Sequence, residues 1–213
     1  MKVRGHSLNW FDLTRDVVEM HESPFMREFK AKAEARGVKS VMGRMDSSLL
    51  YSLVRWAKPK TVVETGTYMG GSASLILKAM SDDGILDGTL VSIDPREDEL
   101  VGCLIPDEFR PRFRRVIGKF EDVKDSPDVP QQIDVFLHDS VHRYDHQMAE
   151  FEFFWPRIRS GGVLISHDVN KNASFVDFLS RTYKHDAGGL TDDALTTHAY
   201  WGRLANLGYI IKA

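Results

Sequence analysis

Cysteine is almost missing from this chain. Cys103 stands alone, so no intrachain disulfide can form and a reducing compartment is the expectation. Long apolar runs are missing as well. None approaches the roughly 20 residues needed to cross a bilayer, and the opening MKVRGHSLNW lacks the apolar stretch of a secretory signal. Neither sign of charge dominates: 28 basic and 31 acidic residues leave a formal charge of −3. That balance favours neither nucleic acid nor an anionic membrane as a partner. One local cluster, Arg110, Arg112, Arg114 and Arg115, reads as the solvated edge of a strand. Repeats and low-complexity tracts are missing too. What remains is a cytoplasmic protein, and a homodimer is left open.

The residues that are present build a core. A hydrophobic content of 42% is too high for a disordered chain, and 213 residues suit one large domain with a short extension. The expected division is a helical cap over residues 1–45 and a main domain over 46–213. Within the cap, Asn9 to Arg36 is charged and amphipathic. Pro24 divides it into two helices and Gly37 ends the second. Asp46 or Ser47 is then expected to cap a helix through Leu49, Leu50, Leu53, Val54 and Trp56, closed by Pro59.

From Thr61 the rhythm changes. The runs TVVET, TLVSID, FRRVIG, IDVFLHD and GGVLISHD alternate with helical stretches such as SASLILKAM and YDHQMAEFEFFWPRI. This pattern predicts an α/β fold of Rossmann-like type, a mostly parallel sheet with helices on both faces. Met148, Phe151 and Trp155 recur at helical spacing and are expected to pack on the sheet. Four of the strand runs close on acids: Glu64, Asp94, Asp139 and Asp168. Ligands of open parallel sheets bind outside the carboxyl ends of the strands, so these acids mark the candidate site. The stretch His185–His198 reads as an irregular loop and LGYIIK as a last strand.

The most specific segment is VVETGTYMGGSASLIL, Val62 to Leu77: a buried strand, an acid, a glycine-rich turn and a helix. Gly66 permits the tight turn and a close backbone approach to ligand, while Gly70 and Gly71 keep Cβ atoms away from the helix start. The spacing is E-x-G-x-x-x-G rather than the G-x-G-x-x-G of dinucleotide binders. An acid beside the loop repels a pyrophosphate and suits a cation such as a sulfonium or an α-ammonium group.

VVETGTYMGGSA resembles the first motif of class I S-adenosylmethionine-dependent methyltransferases, the catechol and caffeoyl-CoA O-methyltransferase branch above all. The stretch IDVFLHDSVHRYDHQMAEFEFFWPRIRSGGVLISHDV is similar to a group of small bacterial members. The resemblance covers roughly Met45 to Asn170. It implies S-adenosyl-L-methionine as cofactor, with Glu64, Gly66, Tyr68, Gly70 and Ser72 at its methionine end. It implies Asp94 at the ribose hydroxyls, and Gly118, Phe120 and Glu121 around the adenine. Asp139 belongs to both cofactor and reaction.

The D-x-x-H spacing of Asp139 and His142 resembles that of macrolide-sugar O-methyltransferases, where the aspartate binds magnesium and the histidine is the base. Adjacent parallel strands are expected to bring Asp139, His142, His167 and Asp168 together, with Asp139, His167 and Asp168 as ligands of Mg²⁺ or another divalent cation, and the resemblance implies His142 and Asp139 as catalytic. The chain departs from that pattern next to Asp168, where His167 and Val169 are the neighbours and Asn170 falls one residue later. The expected activity is O-methylation of a small hydroxylated molecule, a sugar or a natural-product scaffold. Two readings compete with it: a nicotinamide-dependent oxidoreductase on a related fold, and an S-adenosylmethionine-binding or hydroxylase-type relative that transfers no methyl group.

Overall fold

The computed structural model describes residues 10–38, 42–186, 199–200 and 206–212. Three helices precede the sheet: α1 (Trp10–Glu22), α2 (Pro24–Ala35) and α3 (Arg44–Ala57). Pro24 opens α2, and the Ser23 hydroxyl caps it by accepting from the Met26 N–H. Gly37, at φ 66°, follows its end. Helix α3 starts earlier than the sequence indicates. Gly43 is its N-cap, so neither Asp46 nor Ser47 caps it. Asp46 lies in the first turn, where the helix dipole favours a carboxylate, and accepts instead from the Asn206 N–H at 2.6 Å. Lys58 ends α3 in the left-handed region, just ahead of Pro59.

The remaining elements are β1 (Thr61–Thr65), α4 (Gly71–Asp82), β2 (Thr89–Asp94), β3 (Phe113–Ile117), α5 (Phe120–Val123), β4 (Ile133–His138), α6 (Tyr144–Phe154), β5 (Ile158–Ser166), α7 (Ser174–Asp186), β6 (Ala199–Tyr200) and β7 (Gly208–Ile211). The seven strands run in the order β3-β2-β1-β4-β5-β7-β6. All pairs from β3 to β5 are parallel, while β7 is antiparallel to both β5 and β6. Strand order reverses where β1 meets β4, and there the sheet opens a crevice.

Alternation along each strand sorts side chains between two faces. Val62, Leu90, Val135, Leu137, Val163 and Ile165 pack with α3, α4 and the two methionines Met20 and Met26 of the N-terminal helices. Val63, Phe136, Leu164 and Ile210 pack with Met148, Phe151 and Phe154 of α6 and with Phe175, Phe178 and Leu179 of α7. Trp155 lies against this second cluster, edge-on to Phe178. The two-faced arrangement is the one that the alternating strands and helices predict.

The arginine cluster departs from expectation in part. Arg112 is no solvated edge residue, because it donates to the Ile85 and Leu77 carbonyls and to the Ser81 hydroxyl. Of the expected loop His185–His198, His185 and Asp186 fall in the last turn of α7, and residues 187–198 lie outside the described residues.

Candidate functional site

Register decides which side chains meet. Thr65 of β1 pairs with Ile93 of β2 and with His138 of β4, and His138 pairs with Ser166 of β5. The next residue on each strand therefore forms one row: Gly66, Asp94, Asp139 and His167. A cleft of about 850 Å³ runs along this row, lined among others by Gly66, Tyr68, Asp94, Arg96, Gly118, Phe120, Glu121, Asp139 and His146.

The loop after β1 is stitched to its neighbours. The Gly66 N–H donates to the Ile93 carbonyl, and the Asp139 N–H donates to the Thr65 carbonyl. Gly66 has φ 91°, and a Cβ there would stand 2.1 Å from the Asp139 carbonyl oxygen. Glycine is thus demanded by the contact between two loops as well as by the cleft that it lines. Gly70 is the left-handed N-cap of α4. Its Cβ would meet Ile105 Cγ1 at 2.6 Å, so it packs the loop from below rather than lining the cleft.

Glu64 is not a rim acid. It is fully buried on the α4 side of the sheet, accepting from the hydroxyls of Ser72 and Ser92. Burial pushes its carboxyl up to about 8, against the pull of those two hydrogen bonds. Direct contact with a cationic ligand, expected from the sequence, is not what this geometry offers. Glu64 and Ser72 instead tie β1 to α4 under the glycine loop. Tyr68 is nearly half exposed, has φ 45°, and lies beside Arg96, whose guanidinium carbon sits 4.7 Å from the ring centre.

Asp94 ends β2 at the cleft wall. One carboxylate oxygen accepts from the Tyr68 N–H at 2.8 Å, the other from the Arg96 N–H at 2.9 Å. Burial works to raise its carboxyl, but these bonds and the Arg96 guanidinium outweigh it and hold it below the usual range. Gly118 donates its N–H to the Asp94 carbonyl. Phe120 lines the cleft and packs in the core against Phe153 and Phe154.

The second constellation lies past β4 and β5. His167 Nδ1 is 2.9 Å from Asp139 Oδ1, and its Nε2 is 3.6 Å from Asp46 Oδ2. His142 Nε2 is 3.4 Å from Asp168 Oδ2 and 3.9 Å from Asp139 Oδ1. Asp168 reaches this position with φ 54°, left-handed and strained for a non-glycine residue. Burial lowers the His142 imidazole, with His138 adding to it, against the pull of Asp139 and Asp168. For His167 burial also lowers, but the bond to Asp139 and the charges of Asp139, Asp168 and Asp46 win, so its imidazole is raised. Neither Asp139 nor Asp168 caps a helix. Asn170 is turned elsewhere, donating to Asn206 Oδ1, so it does not complete this cluster.

Several cleft residues escape the sequence reading: Arg96, Lys119, Ser140, Arg143, His146 and Glu150. His146 and Glu150 had a usable signal, two charged-type residues four apart on a helix whose other buried positions are Gln147, Met148, Phe151 and Phe154. Asp46 had none, because its approach to His167 is made by tertiary packing alone.

The family described as Methyltransferase domain matches residues 63–169, half of the chain. No curated protein matches. Among solved structures, the O-methyltransferase TomG from Streptomyces achromogenes, involved in tomaymycin synthesis and in complex with S-adenosylmethionine, is 16% identical. The similarity covers 96% of this chain and 97% of that one at a TM-score of 0.60. The S-adenosylhomocysteine-bound methyltransferase PaMTH1 of Podospora anserina is 12% identical over 100% and 99% of the two chains, with a TM-score of 0.64. An O-methyltransferase from Bacillus cereus, in complex with S-adenosylhomocysteine, is 15% identical over 96% and 98%, with a TM-score of 0.59. At these identities the structures show a shared Rossmann-like fold, and the sequence match supplies the family: the chain belongs to the methyltransferase-domain family.

Proposed function

We propose that the cleft binds S-adenosylmethionine and that the chain transfers its methyl group to a hydroxyl of a small acceptor. The observation that carries this reading is the meeting of Asp139, His142, His167 and Asp168 beside a cleft whose far wall holds Asp94. Asp94 faces the ribose diol, since a carboxylate accepts from two hydroxyls at once. Gly118, Phe120 and Glu121 surround the adenine, and Gly66 and Tyr68 border the methionine end. Glu64, Gly70 and Ser72 act from beneath by holding the loop. The solved relatives TomG and the Bacillus cereus protein are named as O-methyltransferases, which favours oxygen as the methyl acceptor.

The cofactor supplies a sulfonium methyl already activated for displacement, so the chain's tasks are alignment and proton removal. His142 fits the second task. Burial lowers its imidazole and so favours the neutral form, and Nε2 is the nitrogen turned toward Asp168 and Asp139. With the donor bound, its methyl would pass to the acceptor oxygen, the neutral thioether would leave, and His142 Nε2 would take the hydroxyl proton. Asp168 and Asp139 then face an imidazolium.

A divalent cation is compatible with the same cluster. Asp139, His142 and His167 present ligand atoms that all lie within 4.8 Å of one another. One carboxylate and two imidazoles suit Mn²⁺, Fe²⁺, Co²⁺ or Zn²⁺ better than Mg²⁺, which prefers oxygen ligands. When bound, such a cation polarises the acceptor hydroxyl. Nε2 of His142 cannot both ligate and take the proton. Its Nδ1 is buried without a hydrogen-bond partner among the described residues.

The test is turnover on a panel of small hydroxylated acceptors, read as S-adenosylhomocysteine release, before and after exhaustive chelation. Full turnover in the chelated enzyme assigns His142 as the base and removes the cation. Under that outcome His142→Ala lowers turnover by roughly 10²–10⁴-fold with S-adenosylhomocysteine affinity unchanged. A wild-type rate in His142→Ala would overturn the assignment.

A further inference from the structure

Glu150 is a carboxylate with no exposed surface, yet it is held charged. It accepts from the Thr65 hydroxyl at 2.6 Å and from the Ser140 hydroxyl at 2.9 Å, and it meets His138 Nδ1 at 2.6 Å and His146 Nε2 at 2.8 Å. So many partners on a buried acid need a reason, since burying a charge is costly unless it is paired. Methyl transfer as derived above uses neither Glu150 nor His146. The reason lies at the other end of His146. Its Nδ1 is 2.8 Å from Glu121 Oε1, and the Glu121 side chain is more than half exposed at the cleft wall. An imidazole with a carboxylate on each ring nitrogen donates at both, as an imidazolium does.

We propose that His146 is a positioning residue that clamps Glu121 at the adenine edge of the cleft, with Glu150 as its buried anchor, and thereby sets the preference for an exocyclic amine on the bound base. This inference rests on the cofactor reading above and gives it a specificity determinant. Three elements build the clamp: α5 brings Glu121, α6 brings His146 and Glu150 one turn apart, and the segment after β4 brings Ser140, whose hydroxyl lies 3.2 Å from His146 Nε2. The ring of Phe120 stands edge-on to the imidazole at 6.2 Å and shields it. A free glutamate on the surface would sample many rotamers and lose entropy on meeting a ligand. A clamped one has already lost it. It presents its remaining lone pairs to a hydrogen-bond donor, which the adenine amine supplies and a hypoxanthine carbonyl does not. A site built to accept from an amine rejects an analogue that lacks it.

The charge on the clamp is also the charge that holds it together. Glu150 and Glu121 raise the His146 imidazole, the bond to Glu150 first, against the effect of burial. The groups facing His146 are Glu121 on α5, Glu150 on its own helix, and Ser140. His138 and Thr65 act through Glu150, and Lys119, Asp122 and Arg143 line the same cleft. The clamp is complete below the raised imidazole value and releases as pH rises through it.

Calorimetric titration of the full chain with S-adenosylhomocysteine and with S-inosylhomocysteine, its deaminated analogue, tests the proposal. The wild type is expected to prefer the amine by on the order of 10-fold or more, from a hydrogen bond to a charged group, and to lose that preference as pH rises through the raised imidazole value. His146→Gln removes the charge and flattens both the preference and its pH dependence. Glu121→Gln does the same from the surface without disturbing Glu150, and the double variant shows no further loss, as expected for groups acting in one chain. The amine of the ligand's own methionine end titrates alike in every variant and cancels in the comparison. Unchanged discrimination in Glu121→Gln and His146→Gln overturns the clamp. Lack of S-adenosylhomocysteine binding to the wild type overturns the cofactor reading instead.

Discussion

Two glutamates with no exposed surface sit on opposite faces of the same strand ends, and their surroundings drive them in opposite directions. Glu64, facing α4, receives the hydroxyls of Ser72 and Ser92, and burial takes its carboxyl up to about 8. Glu150, on α6, is raised by burial but pulled down to about 2 by His138, His146 and Thr65. The consequence for Glu64 has a definite sign. Between its ordinary value near 4.5 and the folded value near 8 the unfolded carboxyl has lost its proton and the folded one has kept it. The unfolded state then binds fewer protons, so stability falls as pH climbs through that window and levels off above it. Glu64→Gln keeps the shape and removes the titration. Its stability relative to wild type should therefore rise between about pH 4.5 and about pH 8, measured by urea denaturation at each pH. Parallel curves for the two proteins would show that Glu64 is ionised in the fold. Glu150→Gln should do the reverse, destabilising the protein by about 3–5 kcal/mol near neutral pH, because it strands the histidines that the charge holds. A loss under about 1 kcal/mol in the same denaturation experiment, the range of exposed ion pairs, would mean that Glu150 is not buried as a charge.

At the scale of elements, the loop after β1 and the loop after β4 behave as one unit. Gly66→Ala would place a methyl carbon against the Asp139 carbonyl at a φ of 91°. About 2 kcal/mol or more of stability should be lost, and because Asp139 must shift, turnover should fall further than S-adenosylhomocysteine affinity. Thermal denaturation and calorimetry on the same sample check both, and a wild-type melting temperature would contradict the contact. The sequence made this loop legible because its signals are local: a β-branched run, an acid, then glycines where the turn needs them. It made the parallel sheet legible for the same reason, through runs such as TVVET and TLVSID with an acid next to or at the end. What local signals cannot carry is which way a side chain faces and what lies opposite. Glu64 looked like a rim acid, but strand alternation puts it with Val62 toward α4, next to Ser72. Asp46 looked like a cap, but Gly43 takes that place and the carboxylate turns to Asn206 and His167. The Glu121–His146 contact spans 25 residues and two elements. Asp139, His142, His167 and Asp168 could be anticipated together only because adjacent parallel strands end in one row.

The molecule as a whole raises the question of whether the N-terminal helices form a separable cap. We propose that residues 1–45 cover the main domain as a cap that the main domain needs for stability. Met20 and Met26 are buried in the same cluster as Leu50, Leu53 and Leu90. Asp16 pairs with Arg55 at 2.7 Å, and Arg55 also holds Asp83 at the end of α4. A second pocket, of about 350 Å³ and lined by Met26, Phe29, Val38, Met42 and Leu75 among others, separates α2 from the starts of α3 and α4 without joining the cleft at the strand ends. Removing the chain before residue 37 would uncover at least the partners of the two methionines, each fully buried side chain of this size contributing roughly 1.5–3 kcal/mol. It would also leave Arg55 without Asp16. Most domains of this size have only about 5–15 kcal/mol to lose, so such a deletion should lower the melting temperature sharply. It should also broaden the transition, and it should do so even with S-adenosylhomocysteine present. Circular dichroism melts of the truncated and full chains measure this directly. A truncated chain that melts within a degree or two of the full one, and still binds S-adenosylhomocysteine, would instead make residues 37–213 an autonomous unit with the first two helices as a detachable lid.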